Sequence, residues 1–182
     1  RTTDQTGLPY GGGNVTKPYR GAPADHFWHT AVAAPAREAV DPIVAPGFTI
    51  GRSERIATAG SCFAQHIART LARSGYHYMT VEDAPATPGA QPENYGTFSA
   101  RYGNIYTVRQ LLQLFRRAYA TFLPADTAWQ RQDGRFVDPF RPQIQADGFA
   151  TPEKVAQDRE AHLAAVRTMF ETCDIFVFTL GL

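Results

Sequence analysis

The stretch RIATAGSCFAQHIARTLARSGY, residues 55–76, constrains the fold of this chain more than any other. Its first part, Ile56 to Ala59, is a short apolar run that predicts a β-strand. A helical pattern then runs from Ser61 to Arg73. Gly60 separates the two elements, so the chain passes from strand to helix in one tight turn. The apolar positions that define the helix face are Phe63, Ala64, Ile67, Ala68 and Leu71.

Further elements follow in an alternating order. The segment Tyr76 to Val81 alternates as a second strand. Thr107 and Gln110 have the spacing of a capping box, which predicts a helix start. The tripeptide at 151–153, Thr-Pro-Glu, is another clean helix start. The continuous apolar run Ile175 to Leu180 suits a strand covered on both faces of a parallel sheet. Together these patterns predict an α/β fold.

Two regions of different texture organise the chain. Residues 1–50 are rich in Gly and Pro, as in GLPYGGGN and KPYRGAP, and predict an irregular N-terminal arm that packs on the domain. Residues 51–182 carry the regular patterns and predict the N-terminal portion of a single α/β domain. The sequence stops directly after an apolar strand. We therefore expect the remainder of the domain from a missing C-terminal segment or from another chain.

Charge and cysteine usage exclude several function classes. The net charge of +1 gives no basic field for nucleic acid. No apolar run approaches the roughly 18 residues of a transmembrane helix, so no membrane span is predicted. The two cysteines, Cys62 and Cys173, form neither a disulfide framework nor a metal-ligand cluster. They predict free thiols in a reducing, cytoplasmic compartment, and no metal site.

Cys62 lies where an α/β fold places its chemistry, at the turn between a strand and a helix, and Gly60 at this turn is expected to let a substrate approach the backbone. Helix N-terminal amides are unpaired and the dipole is positive there, which favours a thiolate and the oxyanion of an attacked carbonyl. The alternative is structural: Ser61 caps the helix and Cys62 is a small buried hydrophobe. Cys173 opens a buried strand and is interpreted as a core residue.

The pentapeptide GSCFA, Gly60 to Ala64, resembles the signature of the GSCFA family, which is similar to the SGNH (GDSL-type) hydrolases. RYGNIYTVRQLLQL, Arg101 to Leu114, resembles the second block of the family, and VFTLGL, Val177 to Leu182, resembles the start of its third. The resemblance implies an SGNH-like three-layer α/β/α domain with a mostly parallel sheet. It also implies an acyl-ester hydrolase or O-acyltransferase acting on a small-molecule or glycan acyl ester, with acylated carbohydrate the first choice. No cofactor is implied, apart from acyl-coenzyme A as the donor if the acyl group is transferred.

The resemblance also implies roles for individual residues. Laying Gly60-Ser61-Cys62 over the Gly-Asp-Ser of SGNH enzymes places Cys62 on the nucleophile, with Ser61 as the second choice. Ser61 falls on the Asp position, a departure from the serine pattern. Gly103, with Asn104 beside it, matches the glycine whose amide stabilises the oxyanion. Gly181 matches the glycine of the third block.

The general base of SGNH enzymes is a histidine from near the C-terminus of the domain, and no histidine here replaces it. His66 lies one helical turn beyond Cys62, but helix direction points it away from a site at the helix start. His162 is expected to be a surface or packing residue, and His77 a structural one. A non-catalytic SGNH-like binding or assembly module is therefore the alternative function.

Residues 123–150 read as loop-rich, and the motif DPFRP within them pairs Asp138 with Arg141. The motif predicts a solvated salt bridge within a loop. The alternative is that Arg141 lies near an anionic substrate. Asp138 is a further acid candidate without support from any neighbouring pattern.

Overall fold

The computed structural model describes residues 19–41, 46–84 and 94–180. The chain divides into two compact units, Arg1–Thr49 and Ile50–Leu182. Described residues of the first unit form short helical turns at Ala24–His26, His29–Ala33 and Arg37–Ala39. The second unit contains, in order, β1 (Ile56–Gly60), α1 (Cys62–Arg73), α2 (Val108–Ala118), β2 (Trp129–Gln130), β3 (Phe136–Val137), α3 (Pro152–Thr172) and β4 (Ile175–Thr179).

Strands β1 and β4 form a parallel pair, from Ile56 opposite Ile175 to Gly60 opposite Thr179. Every residue of β1 is buried, and those of β4 are half-buried. A parallel pair needs a long crossover connection, and here the chain from α1 through α3 supplies it. The carboxyl ends of the two strands therefore meet at one edge, at Gly60 and Thr179, and the fold is α/β in class.

The predicted second strand, Tyr76 to Val81, is reduced to one parallel bridge between Tyr78 and Ile56. The prediction of a full strand is wrong because a side chain takes over its hydrogen bonds. The backbone amide of Thr58 donates to the hydroxyl of Ser99 at 2.9 Å. Val81 in turn donates to the carbonyl of Ser99 at 2.8 Å, so the chain leaves the sheet after the bridge.

The three helices of this unit begin where their sequence signals predict. Ser61 caps α1, and Thr107 with Gln110 forms the complete capping box of α2. Thr151 accepts a hydrogen bond from the Lys154 amide, and Pro152 opens α3. Each cap satisfies an amide that the helix itself leaves unpaired.

A small antiparallel hairpin, β2 with β3, lies in the stretch predicted to be loop-rich. Gly134 has a φ of +81°, a left-handed conformation that glycine adopts without steric cost. The amide of Arg131 donates to the carbonyl of Arg135 at 2.7 Å and closes the turn. The Asp-Gly pair at 133–134 is typical of a hairpin turn, but the composition of the surrounding stretch predicted only loops.

The hydrophobic core joins β1, α1, α2 and α3 with the segment 98–105. Its members are buried apolar residues packed on one another: Ala57, Ala59, Ala64, Phe98, Ala100, Tyr102, Ile105, Leu114, Ala118, Val166 and Met169. The hydroxyl of Tyr102 donates to the carbonyl of Thr58. This bond anchors the segment before Gly103 against the central strand.

Candidate functional site

The carboxyl end of β1 allows only glycine at position 60. Gly60 has a φ of +141°, and an added Cβ would lie 2.5 Å from the carbonyl oxygen and 2.8 Å from the amide nitrogen of Thr179. Both neighbours are backbone atoms of the paired strand, so they cannot move aside. The close approach of β1 and β4 therefore requires Gly60, independently of any contact with a substrate.

Ser61 is buried and acts as the N-cap of α1. Its hydroxyl accepts from the amide of Phe63 at 3.4 Å, and its own amide donates to the Thr179 hydroxyl at 3.2 Å. The structural alternative from the sequence is thus observed for Ser61. A hydroxyl held between the helix start and β4 is not presented to solvent.

Cys62 is the first residue of α1 and is exposed, unlike the small buried hydrophobe of the structural alternative. The side chain of the next residue, Phe63, is also exposed. Cys173 is half-buried, and burial raises the pKa of its thiol. The two thiols therefore occupy different environments, and only Cys62 combines access to solvent with the positive end of a helix dipole.

The Gly103–Asn104 pair lies beside the end of β1. The amide of Ile105 donates to the carbonyl of Gly60 at 2.7 Å, which fixes the two preceding residues at this edge. The side-chain amide of Gln65, on the first turn of α1, donates to Asn104 Oδ1 at 3.4 Å. Gly103 has a φ of +73° and open space where a Cβ would be. The strand end, the helix start and the Gly103–Asn104 turn therefore come together, whereas Gly181 lies outside the described residues.

A cavity of about 580 Å³ opens next to this turn. Gly103 and Asn104 line it, but Ser61 and Cys62 are not among its lining residues. Apolar and aromatic residues form much of the wall, and six lining residues carry side-chain amides: Gln65, Asn94, Asn104, Gln110, Gln113 and Gln143. Carboxamides both donate and accept hydrogen bonds, so this wall suits a ligand with hydroxyl groups.

Charged side chains form a buried network that reaches the cavity wall at Arg141. Asp138 is fully buried and accepts from Arg141 Nε at 3.0 Å. Asp158 joins two arginines, since it accepts from Arg101 Nη1 at 3.0 Å and from Arg141 Nη2 at 2.7 Å. The prediction of a solvated loop salt bridge at DPFRP is therefore wrong in its environment. Asp138 and Arg141 do pair, but they pair in the interior.

His162 is also buried, and it pairs with Glu82 at 2.7 Å from Nδ1 to Oε2. Burial and the nearby Arg141 charge lower the pKa of His162, and the Glu82 hydrogen bond opposes that shift without cancelling it. Of the two expectations for this histidine, surface or packing, the structure selects packing. His66 and His77 are both exposed.

Sequence reasoning did not find the charged network, because its partners lie far apart in the chain. Arg101 and Asp158 are 57 positions apart, and Glu82 and His162 are 80 apart. The one local signal was Asp138 with Arg141, three residues apart in a loop. Nothing in that spacing indicates that both side chains are covered by other elements.

Among the described residues, no group of three or more His, Cys, Asp or Glu side chains is arranged to hold a metal ion. No described helix is long and apolar enough to span a membrane.

Comparison with known proteins identifies a family. The family model of the GSCFA family matches residues 55–182, which begins one residue before β1 and includes both strands of the parallel pair. No curated protein and no solved structure matches the chain.

Proposed function

The chain belongs to the GSCFA family over residues 55–182, and we propose that it is an acyl-ester hydrolase or O-acyltransferase of the SGNH-like type, with Cys62 as the nucleophile. On this proposal the parallel pair is the centre of a three-layer α/β/α domain. The observation that carries the proposal is the position of Cys62. It is an exposed thiol at the first residue of a helix that directly follows the carboxyl end of a parallel strand.

Nucleophilic attack needs a thiolate and access to the carbonyl carbon. The thiolate sulfur of Cys62 bonds to that carbon, and the carbonyl electron pair moves onto oxygen. When the tetrahedral intermediate collapses, the alkoxide leaves and takes a proton from water. The hydroxide left by that transfer removes the proton of a second water or of an acceptor hydroxyl, whose oxygen attacks the thioester, and collapse of this second intermediate breaks the C–S bond and releases the thiolate. A thiolate attacks without a general base, so this first step does not require the histidine that serine-based relatives use.

Charge on the oxyanion needs preorganised donors. The amide of Cys62 lies in the first turn of α1, where helix amides have no partner within the helix. The Gly103 amide makes no hydrogen bond to any of the described residues. Gly103 is also tied to the strand end through Ile105, so both amides belong to the same edge of the sheet. Gly60 and Asn104 position this edge, and Gly181 is proposed to complete it from the third block.

The substrate proposed is an acyl ester of a carbohydrate. The side-chain amides in the cavity wall support it, because sugar hydroxyls pair with groups that both donate and accept. If the acyl group is transferred rather than hydrolysed, acyl-coenzyme A is a suitable donor, and no other cofactor is proposed.

Acyl-enzyme trapping tests the proposal. We expect p-nitrophenyl acetate to add one acetyl group to the protein, and peptide mapping to locate it on Cys62. The Cys62→Ala variant should lose this adduct, while Cys173→Ala should keep it and serves as the matched control. Acetylation of Ser61 instead would transfer the nucleophile to the second choice. A protein that releases p-nitrophenol no faster than its Cys62→Ala and Ser61→Ala variants would not be an enzyme of this type.

One observation favours the alternative of a non-catalytic binding module. The cavity of about 580 Å³ is lined by the Gly103–Asn104 turn but not by Ser61 or Cys62. A module that only binds would use this cavity without the thiol. In that case a ligand would bind in the cavity, and no acyl adduct would form on Cys62 or Ser61.

A further inference from the structure

Arg117, on the last turn of α2, lines the cavity and is buried, as is Arg141. The side chain of Arg117 is 3% exposed. Within the described part of the chain, its Nε and Nη2 atoms have no hydrogen-bond partner. Buried donors of a charged group are costly to leave unpaired, so this guanidinium differs from the other buried arginines of the domain.

The neighbouring carboxylates are already engaged by other donors. Asp138 Oδ2 lies 3.8 Å from Arg117 Nη2, beyond hydrogen-bond distance, and accepts from Arg141 at 3.0 Å. Asp138 Oδ1 accepts from the amide of Phe140. Both oxygens of Asp158 are taken by Arg101 and Arg141. Arg117 is therefore ion-paired with Asp138, but its Nε and Nη2 atoms make no hydrogen bond to any described carboxylate.

The position of Arg117 suits an anion more than a neutral group. The ring of Phe140 lies under the guanidinium, with its centroid 4.0 Å from Cζ, and covers one face. Burial lowers the pKa of Arg117 to about 10. The negative charge of Asp138 raises this pKa in part, and the positive charges of Arg141 and Arg159 lower it further. The group is still charged at neutral pH. An added negative charge would relieve both the desolvation and the repulsion between these cations.

We propose that the cavity binds a small, hydroxyl-bearing ligand through one oxyanion, a carboxylate or a phosphate, which pairs with Arg117. The Nε–Nη2 edge of an arginine presents two parallel donors, the geometry that two oxygens of such a group accept. Both atoms are covered, so binding includes a turn of the guanidinium toward the cavity. Side-chain amides such as Gln113 and Gln143 meet the hydroxyl groups.

The cavity also connects this anion site to the candidate catalytic edge. Gly103 and Asn104 line one part of it and Arg117 another. The anionic ligand is then the acyl-bearing substrate or the acceptor, a step that rests on the proposed function. The enzyme would act on an acidic sugar ester rather than a neutral one, because the buried guanidinium selects the charge.

Ligand binding tests the anion site separately from catalysis. The probes are glucuronate, glucose 6-phosphate, inorganic phosphate and neutral glucose, with affinity measured by titration calorimetry. We expect at least one sugar anion to bind, and to bind at least about tenfold tighter than glucose, the effect of one charged hydrogen-bonded pair. The glucuronate and phosphate arms distinguish a carboxylate ligand from a phosphate ligand.

Two variants on neighbouring positions provide the control. Arg117→Gln should weaken binding of the anion by at least about tenfold, whereas Arg116→Gln, at an exposed arginine of the same helix, should not change it. If Arg117→Gln does not fold, Arg117→Lys is the second variant. It keeps the positive charge but lacks the two parallel N–H donors of the guanidinium, so it should still weaken binding of the anion. The same titration on Cys62→Ala should give wild-type affinity. Equal affinity for glucose and the sugar anions, or unchanged binding in the Arg117 variants, would overturn the proposal whatever the activity of Cys62.

Discussion

The side-chain oxygens of Ser61 and Thr179 lie 3.4 Å apart, at the adjoining carboxyl ends of the two parallel strands. The amide of Ser61 also donates to the same Thr179 oxygen at 3.2 Å. One threonine thus holds the start of α1 against β4. The side chain of the following residue, Cys62, is exposed as the helix begins.

Replacing Thr179 with valine should loosen this junction. Valine keeps the shape but removes the acceptor of the Ser61 amide, so we expect a loss of about 1 kcal/mol in the free energy of unfolding. Thr179→Ser retains the hydroxyl and should lose less. Urea denaturation of both variants measures the difference. Equal stability of valine and serine variants would show that the hydroxyl contact contributes nothing.

Gly60→Ala should be severely destabilising. The new Cβ meets the Thr179 backbone at 2.5 to 2.8 Å, and the φ of +141° is unfavourable for alanine. Strain and overpacking together should cost at least about 2 kcal/mol. Gly47→Ala is the control, because no atom lies within 4 Å of a Cβ there. The melting temperatures of the two variants should differ by several degrees, and similar values would contradict the close approach of β1 and β4.

Alkylation rates should separate the two thiols. Cys62 is exposed at a helix start, whereas Cys173 is half-buried with a raised pKa. Since the thiolate is the reactive form, we expect iodoacetamide to modify Cys62 first at neutral pH. Peptide mapping over a time course measures both rates. Protection of Cys62 until the protein unfolds would remove it as a nucleophile and leave Ser61 alone.

Asp158→Asn should cost far more than a surface charge change. The substitution leaves Arg101 and Arg141 buried, with side chains 4% and 1% exposed, without their shared carboxylate. Removing one partner of a buried ion pair costs about 3–5 kcal/mol. Asp133→Asn breaks an exposed pair with Arg131 and should cost at most about 1 kcal/mol. Chemical denaturation should rank the variants in this order; a mild effect at Asp158 would argue against a buried network.

His162 should make the protein less stable in mild acid. Burial first, and the Arg141 charge second, lower its pKa below the usual 6.5. Between the lowered folded pKa and the unfolded value, the unfolded chain binds the proton more readily. The contribution of His162 to the free energy of unfolding is therefore fully present above about pH 6.5, and it is lost as the pH drops toward the folded pKa.

The His162→Gln variant isolates this contribution. A glutamine amide can still donate to Glu82 but does not titrate. We expect the pH dependence of stability between about pH 7 and 5.5 to become flatter in His162→Gln. His66→Gln, at an exposed position of α1, should keep the wild-type slope. A slope that does not differ between the two variants would assign the acid sensitivity to other groups.

Local sequence determined the starts of the helices and the class of the fold. A cap or capping box involves residues two or three positions apart, and an apolar run is visible wherever it occurs. The starts of the three helices, at Ser61, Thr107 and Thr151, are therefore predictable without tertiary information. A parallel sheet is also predicted, because helical crossovers between apolar strands favour that arrangement, but that β1 pairs with β4 is known only from the structure.

Tertiary structure decided everything that depends on burial between distant segments. The hydroxyl of Ser99 took the place of a strand partner for Thr58 and shortened the predicted second strand. The sequence predicted a solvated loop pair of Arg141 with Asp138, whereas in the structure Arg141 also contacts Asp158 and Arg101 in the interior. That Arg117 Nε and Nη2 lack hydrogen-bond partners among the described residues is evident only from the atoms that surround them in the fold. The desolvation and pairing of a charge depend on which atoms surround it in space, and its sequence neighbours do not specify those atoms.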